Sequence, residues 1–217
     1  MNKLISDAEE FIRALFQNEF SGHDYFHSMR VCKTAVRIAE AEGADPEETA
    51  LIALLHDADD IKLSPGTHAR KDRAAGFLKA EGVREERIAR ILKAIDEISF
   101  RGTNSVSPLT LEGRCVQDAD RLDALGAIGI ARTFAYGGSH GRAMYDPAEK
   151  PQFNMNETEY RARVSTSVNH FYEKLFLLGD MMNTDYGKKL AEKREAFMRE
   201  YLEHFYAEWE GTDDEKD

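Results

Sequence analysis

Three short stretches of the chain gather histidine and aspartate at close spacing. "HDYFHSMRV" holds His23, Asp24 and His27, "LLHDADD" holds His56 and Asp57 with Asp59 and Asp60 close behind, and "QDADRLDALGAIGIAR" holds Asp118, Asp120 and Asp123. Imidazole and carboxylate together make a mixed N/O donor set for a divalent cation. On a helix His56 and Asp57 stand about 100° apart, so both reach one point only if it lies off the edge between them. A metal ion fits there. The leucines before the pair set this helix end against the core, where an unpaired carboxylate is costly and a bound cation offsets the cost. A buried, hydrogen-bonded histidine beside an aspartate tied to a neighbouring helix satisfies the same two residues. The motif alone leaves both readings open.

Asp120 and Asp123 are three apart and share a helical face with Ala124, Ala127 and Ala131, a small-residue face suited to close packing. The two carboxylates then point inward unless Arg121 or Arg114 screens them, whereas Asp118 suits a solvated acidic cap near a helix start. His23 and His27 are four apart, and Arg30, Lys33 and Arg37 follow as a basic stripe. Lys33 and Arg37 read as a solvated face. Arg30, one turn from His27, is the candidate phosphate contact.

The elements that must position these residues are helices. Apolar residues recur at helical spacing almost throughout, with no sustained period-two alternation, so an all-α, single-domain helical bundle over residues 1–217 is expected. Helices are predicted over 3–18 and 27–42, the second with Val31, Ala35, Ile38 and Ala39 inward and Gly43 as its stop. The next is capped by Asp45, with Pro46 at its first position, and runs through Leu51, Leu54 and Leu55 into "HDADD". After a break at "LSPGT" come a helix at 67–81 and one with Ile88, Ile91, Leu92, Ile95 and Ile98 on one face. "RCVQDADRLDALGAIGIARTFA" reads as one helix. The Gly- and Pro-laden segment up to Asn156 reads as a long ordered loop. Two long helices finish the chain at 157–181, with Tyr160, Val164, Phe171, Leu175 and Leu178 inward, and 185–209, with Leu190, Phe197, Tyr201 and Phe205 inward, before an acidic frayed tail at 210–217.

Composition sets the outer bounds. The 217 residues carry a formal net charge of −11, which disfavours a nucleic-acid polymer as partner but leaves room for a small phosphorylated ligand. No apolar run is long enough for a membrane span, and "MNKLISDAEE" lacks a signal-peptide core, so a cytoplasmic protein without membrane association is expected. Cys32 and Cys115 read as reduced and buried.

The order His27, then His56-Asp57, then Asp120 within "ADRLD" resembles the HD-domain metal-dependent phosphohydrolases. "GHDYFHSMRV", "ISFRG", "QDADRLDALGAIGIARTFAYGG", "HFYEKLFLLGDMMNT" and "GKKLAEKREAFMREYLEHFYAEW" extend the likeness to a small bacterial subgroup over almost the full length. That subgroup is all-helical and includes proteins similar to nucleoside triphosphate pyrophosphohydrolases, which release pyrophosphate and a monophosphate. The resemblance implies an HD core at about 20–130, with the C-terminal helices packed on it. It also implies that His27, His56, Asp57 and Asp120 hold one divalent metal (Mn, Mg, Co, Fe or Ni), which acidifies a water and polarises the phosphoryl group. Asp60 is the candidate for activating the attacking water, with Asp59 as its competitor. Arg30, Lys62 and Arg101 are candidates for binding the phosphates. His23, Asp24 and Asp123 are expected to support the ligands from behind. The same ligands would serve a 5′-nucleotidase or a phosphodiesterase, and a non-catalytic nucleotide sensor is the alternative of another class.

Overall fold

The computed structural model describes residues 3–17, 24–60, 64–100 and 104–213, and among them every regular element is helical. The order is α1 (Lys3–Leu15), α2 (Tyr25–Glu42), α3 (Pro46–Leu55), α4 (Pro65–His68), α5 (Asp72–Ala80), α6 (Glu85–Ile98), α7 (Leu111–Asp123), α8 (Gly126–Ser139), α9 (Glu157–Ala162), α10 (Ser167–Glu173) and α11 (Asp185–Glu210), with a 3₁₀ turn over Leu175–Leu177.

At the centre α3 packs between α2, α7, α1 and α6, and every residue from Thr49 to Leu55 is buried. A helix that is apolar on all sides has nowhere else to go. It starts where expected: the Asp45 carboxylate accepts from the Glu47 and Glu48 N–H groups at 2.8 and 3.2 Å, with Pro46 at the first helical position. Helix α2 turns Val31, Ala35, Ile38 and Ala39 inward and stops at Gly43, whose φ of 77° is the left-handed conformation that glycine adopts without a Cβ penalty. Helix α6 brings Ile88, Ile91, Ile95 and Ile98 onto the other side of the same core.

Three expected helices are broken. The segment at 67–81 divides into α4 and α5, with Lys71 between them at a φ of 53°. Asp59, 2% exposed, caps α5 by accepting from the Arg73 and Ala74 N–H groups at 3.1 and 3.0 Å. The segment around Asp120 divides at Ala124–Leu125 into α7 and α8, and Ala127 and Ala131 lie exposed instead of against a neighbour. Its cause is local: Gly126 has a φ of 72°, and a Cβ there would stand 3.1 Å from the Arg194 side chain. The 157–181 segment divides into α9, α10 and the 3₁₀ turn. Asn156 and Glu159 form a reciprocal capping box at the first start, and the Thr166 hydroxyl caps the second. Val164, expected inward, falls between them and is exposed, and Phe197 on α11 is likewise exposed. The loop from His140 to Asn156 is present as expected.

Asp118 is not the solvated cap expected. It is fully buried and binds the start of α11, accepting from the Asn183 N–H and side-chain amide and from the Thr184 N–H and hydroxyl at 2.7–3.1 Å. That carboxylate docks α11 against α7, the helix that carries Asp120.

Candidate metal centre

Three helix ends converge. His27 lies in the first turn of α2, His56 and Asp57 follow the last residue of α3, and Asp120 sits in the last turns of α7. His27 Nε2 lies 3.3 Å from Asp57 Oδ2 and 3.4 Å from Asp120 Oδ1, and His56 Nε2 lies 3.5 Å from Asp57 Oδ1 and 3.9 Å from Asp120 Oδ1. One donor atom from each of His27, His56 and Asp57 falls within 4.8 Å of the other two. Donors about 2.1 Å from a shared octahedral ion stand about 3 Å apart when adjacent and about 4.2 Å apart when opposite, so these separations suit a common cation.

The histidine tautomers follow from their partners. His56 Nδ1 donates to the Ala53 carbonyl at 2.7 Å, which turns the lone pair of Nε2 into the cluster. That Nε2 is buried and has no hydrogen-bond partner among the described residues. Burial of an unsatisfied imidazole nitrogen is costly, and a cation is a partner that removes the cost. His27 Nδ1 faces Asp123 Oδ2 at 2.7 Å, and a carboxylate that close requires a proton on Nδ1. Two imidazole donors and two carboxylate donors, three of them buried and the Asp120 carboxylate half-buried, thus face one another. Burial alone would lower the His27 pKa, but Asp120, Asp123 and Asp57 outweigh it and hold it well above the ordinary value. Asp120 is held below the ordinary carboxylate value: burial pushes it up, and the His27 and His56 imidazoles more than reverse that.

The residues expected behind the ligands divide. Asp24 caps α2 by accepting from the His27 N–H at 2.7 Å, so it fixes the backbone that carries the ligand candidate. Asp123, buried and on the last residue of α7, orients the His27 ring directly. Burial would raise its pKa, yet the hydrogen bonds from His27 and Arg30 and the nearby Arg132 charge bring it well below the ordinary carboxylate range. Arg30, expected to meet phosphate, commits Nε and Nη2 to the two Asp123 oxygens at 2.7 and 2.9 Å. Lys33 and Arg37 are exposed, as expected of a solvated stripe. Asp60 is half-buried, one turn past Asp57, with its N–H donating to the Asp57 carbonyl at 3.1 Å. Asp59, its competitor, has both carboxylate oxygens occupied by the start of α5 and is withdrawn from water chemistry. His23, Lys62 and Arg101 lie outside the described residues.

Arg132 was not singled out by the sequence. Its Nη1 reaches Asp123 Oδ2 at 2.5 Å and the Asp123 carbonyl at 3.3 Å, and it stands 3.2 Å from His27 Nδ1. On one unbroken helix, residues nine apart lie on opposite sides and about 13.5 Å apart along the axis. Only the turn at Leu125–Gly126 brings Arg132 back onto Asp123, and that glycine was the available signal.

The HD domain family model matches residues 24–125, a span that contains His27, His56, Asp57, Asp120 and Asp123. The YpgQ protein of Bacillus subtilis (strain 168) is 35% identical over 98% of each chain. A crystal structure from Lactobacillus plantarum is 39% identical, covers 97% of this chain and 99% of its own, and superposes with a TM-score of 0.85. An HD-superfamily hydrolase from Bacillus thuringiensis is 40% identical over 95% of this chain and 96% of its own, with a TM-score of 0.75. Bacillus subtilis YpgQ crystallised in complex with ADP is 33% identical over 95% of each chain, with a TM-score of 0.76. Helical architecture, donor cluster and full-length likeness agree, and the chain belongs to the HD-domain superfamily of hydrolases, in the subgroup that includes YpgQ.

Proposed function

We propose that this hydrolase cleaves nucleoside triphosphates to the monophosphate and pyrophosphate, with His27, His56, Asp57 and Asp120 holding one divalent metal. The observation that carries the reading is the convergence of buried His27, His56 and Asp57 with half-buried Asp120, with His56 Nε2 turned into the cluster and lacking a hydrogen-bond partner among the described residues. A second support comes from YpgQ, which crystallised with ADP. ADP contains the α–β anhydride that release of pyrophosphate from a triphosphate would break. Bound in the cluster, a divalent ion supplies Lewis acidity towards a phosphoryl oxygen and an acidified water.

The chain's own residues divide the remaining work. Asp60, one turn past Asp57, is the group proposed to accept the proton of the attacking water. Lys62 and Arg101 are proposed to neutralise charge on the phosphates. Arg30 has two donors on Asp123, so its share in phosphate binding is the smaller. Its net charge of −11 makes the protein a poor host for a polyanion, which favours a small nucleotide over a nucleic-acid strand. Among the described residues no helix is long and apolar enough to cross a membrane.

A panel of nucleotides incubated with Mn²⁺, Co²⁺ or Mg²⁺ tests the reading through its products. Pyrophosphate and monophosphate in equal amounts are expected. Orthophosphate as the sole inorganic product would point to a nucleotidase, cleavage of a diester to phosphodiesterase activity, and binding without turnover under every metal to a sensor. His56→Ala and Asp57→Ala should lose metal and turnover together while keeping their helical spectrum, and a variant that retains a full metal complement removes its residue from the ligand set.

A further inference from the structure

The Asp123 carboxylate takes hydrogen bonds from two sides. Arg30 and His27 both belong to α2 and meet it at 2.7–2.9 Å. Arg132 reaches it from α8, across the break that ends α7, and also donates to the Asp123 main-chain carbonyl. We propose that Arg132 is a positioning residue of the metal centre, acting through Asp123 to hold the His27 ring with Nε2 turned towards Asp57 and Asp120. The inference rests on the metal reading given above and assigns a role to a residue outside the ligand set.

The terminal torsion of an aspartate is broad, so a carboxylate fixed by few partners can swing and take its histidine with it. Donors from α2 alone would let the carboxylate follow any shift of that helix. A guanidinium on α8 ties it to the α7–α8 joint instead, and the same Nη1 bonds the carbonyl at the end of the helix that carries Asp120. One side chain therefore couples the orientation of His27 on α2 to the position of Asp120 on α7. Outer partners of metal-bound histidines commonly change metal affinity by about 10–100-fold when removed. A lysine at 132 would keep the charge but not the rigid guanidinium plane that sets Nη1 against both the carboxylate and the main-chain carbonyl of Asp123.

The test uses the full chain and two readouts besides turnover. The hydrogen-bonded Nδ1–H proton of His27, assigned by its loss in His27→Gln, should give a downfield proton resonance in the metal-free wild type that broadens or disappears in Arg132→Gln. Mn²⁺ affinity measured by titration calorimetry should fall about 10–100-fold in Arg132→Gln, and Asp123→Asn combined with Arg132→Gln should bind Mn²⁺ no more weakly than Asp123→Asn alone. An unchanged His27 resonance overturns the proposal, and so does a double variant whose loss is the product of the two single losses. Should Arg132→Gln fail to fold, Arg132→Lys is read in the same two ways and is expected to show an intermediate loss. A wild type that binds no Mn²⁺ overturns the metal reading, while the metal-free resonance still decides what Arg132 does to His27.

Discussion

Asp118 and Asp123 stand a little over one turn apart on α7, both buried, and they are held by opposite kinds of partner. Among the described residues Asp118 accepts from neutral donors only: two backbone N–H groups, one amide and one hydroxyl of Asn183 and Thr184. Asp123 accepts from two guanidiniums and an imidazole. Neutral donors fixed in a backbone turn build a joint, because their geometry comes with the chain. Charged donors on long side chains reach across elements and fix the carboxylate against which the His27 ring is set. One helix thus carries a carboxylate that assembles the fold and another that orients the His27 ring, with the ligand candidate Asp120 between them.

Replacing each aspartate separates the two roles. Asp118→Ala leaves the buried Thr184 N–H and hydroxyl, and the Asn183 N–H beside them, without their acceptor, at about 1–3 kcal/mol each. With some relaxation the expected loss is about 3–5 kcal/mol in urea unfolding, the largest stability change among these variants. Mn²⁺ affinity of the protein that remains folded should stay within about twofold of the wild type. A fall comparable to that of an Asp123 variant would break the division of labour drawn between the two residues.

Asp123→Ala should show the inverse pattern. Arg30 and Arg132 are partly exposed and can turn their guanidiniums to water, so the stability loss is expected near 1–2 kcal/mol. Metal affinity should fall by about 10–100-fold, because the His27 ring loses the acceptor that fixes it. Calorimetric titration with Mn²⁺ beside urea unfolding of both variants reads the two axes together. An Asp123→Ala protein with wild-type metal affinity would reduce the cluster around Asp123 to packing.

How much of this was legible in the sequence follows the same contrast. Local rules succeeded where one helix decides its own fate: the apolar face of α2, the Asp45-Pro46 start of α3 and the Gly43 stop were all readable and all hold. The spacing of His27, His56, Asp57 and Asp120, with the family likeness, also anticipated four side chains that the fold brings together. Asp118, Asp59 and Arg132 were misread or overlooked for one physical reason: their partners come from another element, or from beyond a break. Asp118 answers to residues 65 and 66 positions away, and the acceptors of α5 come from the turn after α3. Periodicity carries apolar stripes through a break such as Gly126 without registering the change of direction, which is why Ala127, Ala131 and Val164 were placed inward. Capping signals were the missed information, since Asn156 with Glu159 and then Thr166 mark two helix starts where one long helix was expected.

The smallest expected effect is a pH dependence that the charged partners of Asp123 impose. Its carboxylate binds a proton in the folded chain only well below the ordinary value of about 3.9 that it regains on unfolding. Between those two values the unfolded chain holds the extra proton, so acid favours unfolding. The stabilisation is complete above about pH 5 and is lost progressively as pH falls through the lower, folded value. One such group contributes at most one proton to the slope, about 1.4 kcal/mol per pH unit. Urea unfolding of the metal-free protein between about pH 5 and pH 3 measures it, with Asp123→Asn as the comparison. The variant's stability should decline less steeply with acid than that of the wild type. Parallel slopes would mean that the guanidiniums and His27 do not hold Asp123 ionised in the folded chain, and the contrast with the neutral cradle of Asp118 would lose its electrostatic half.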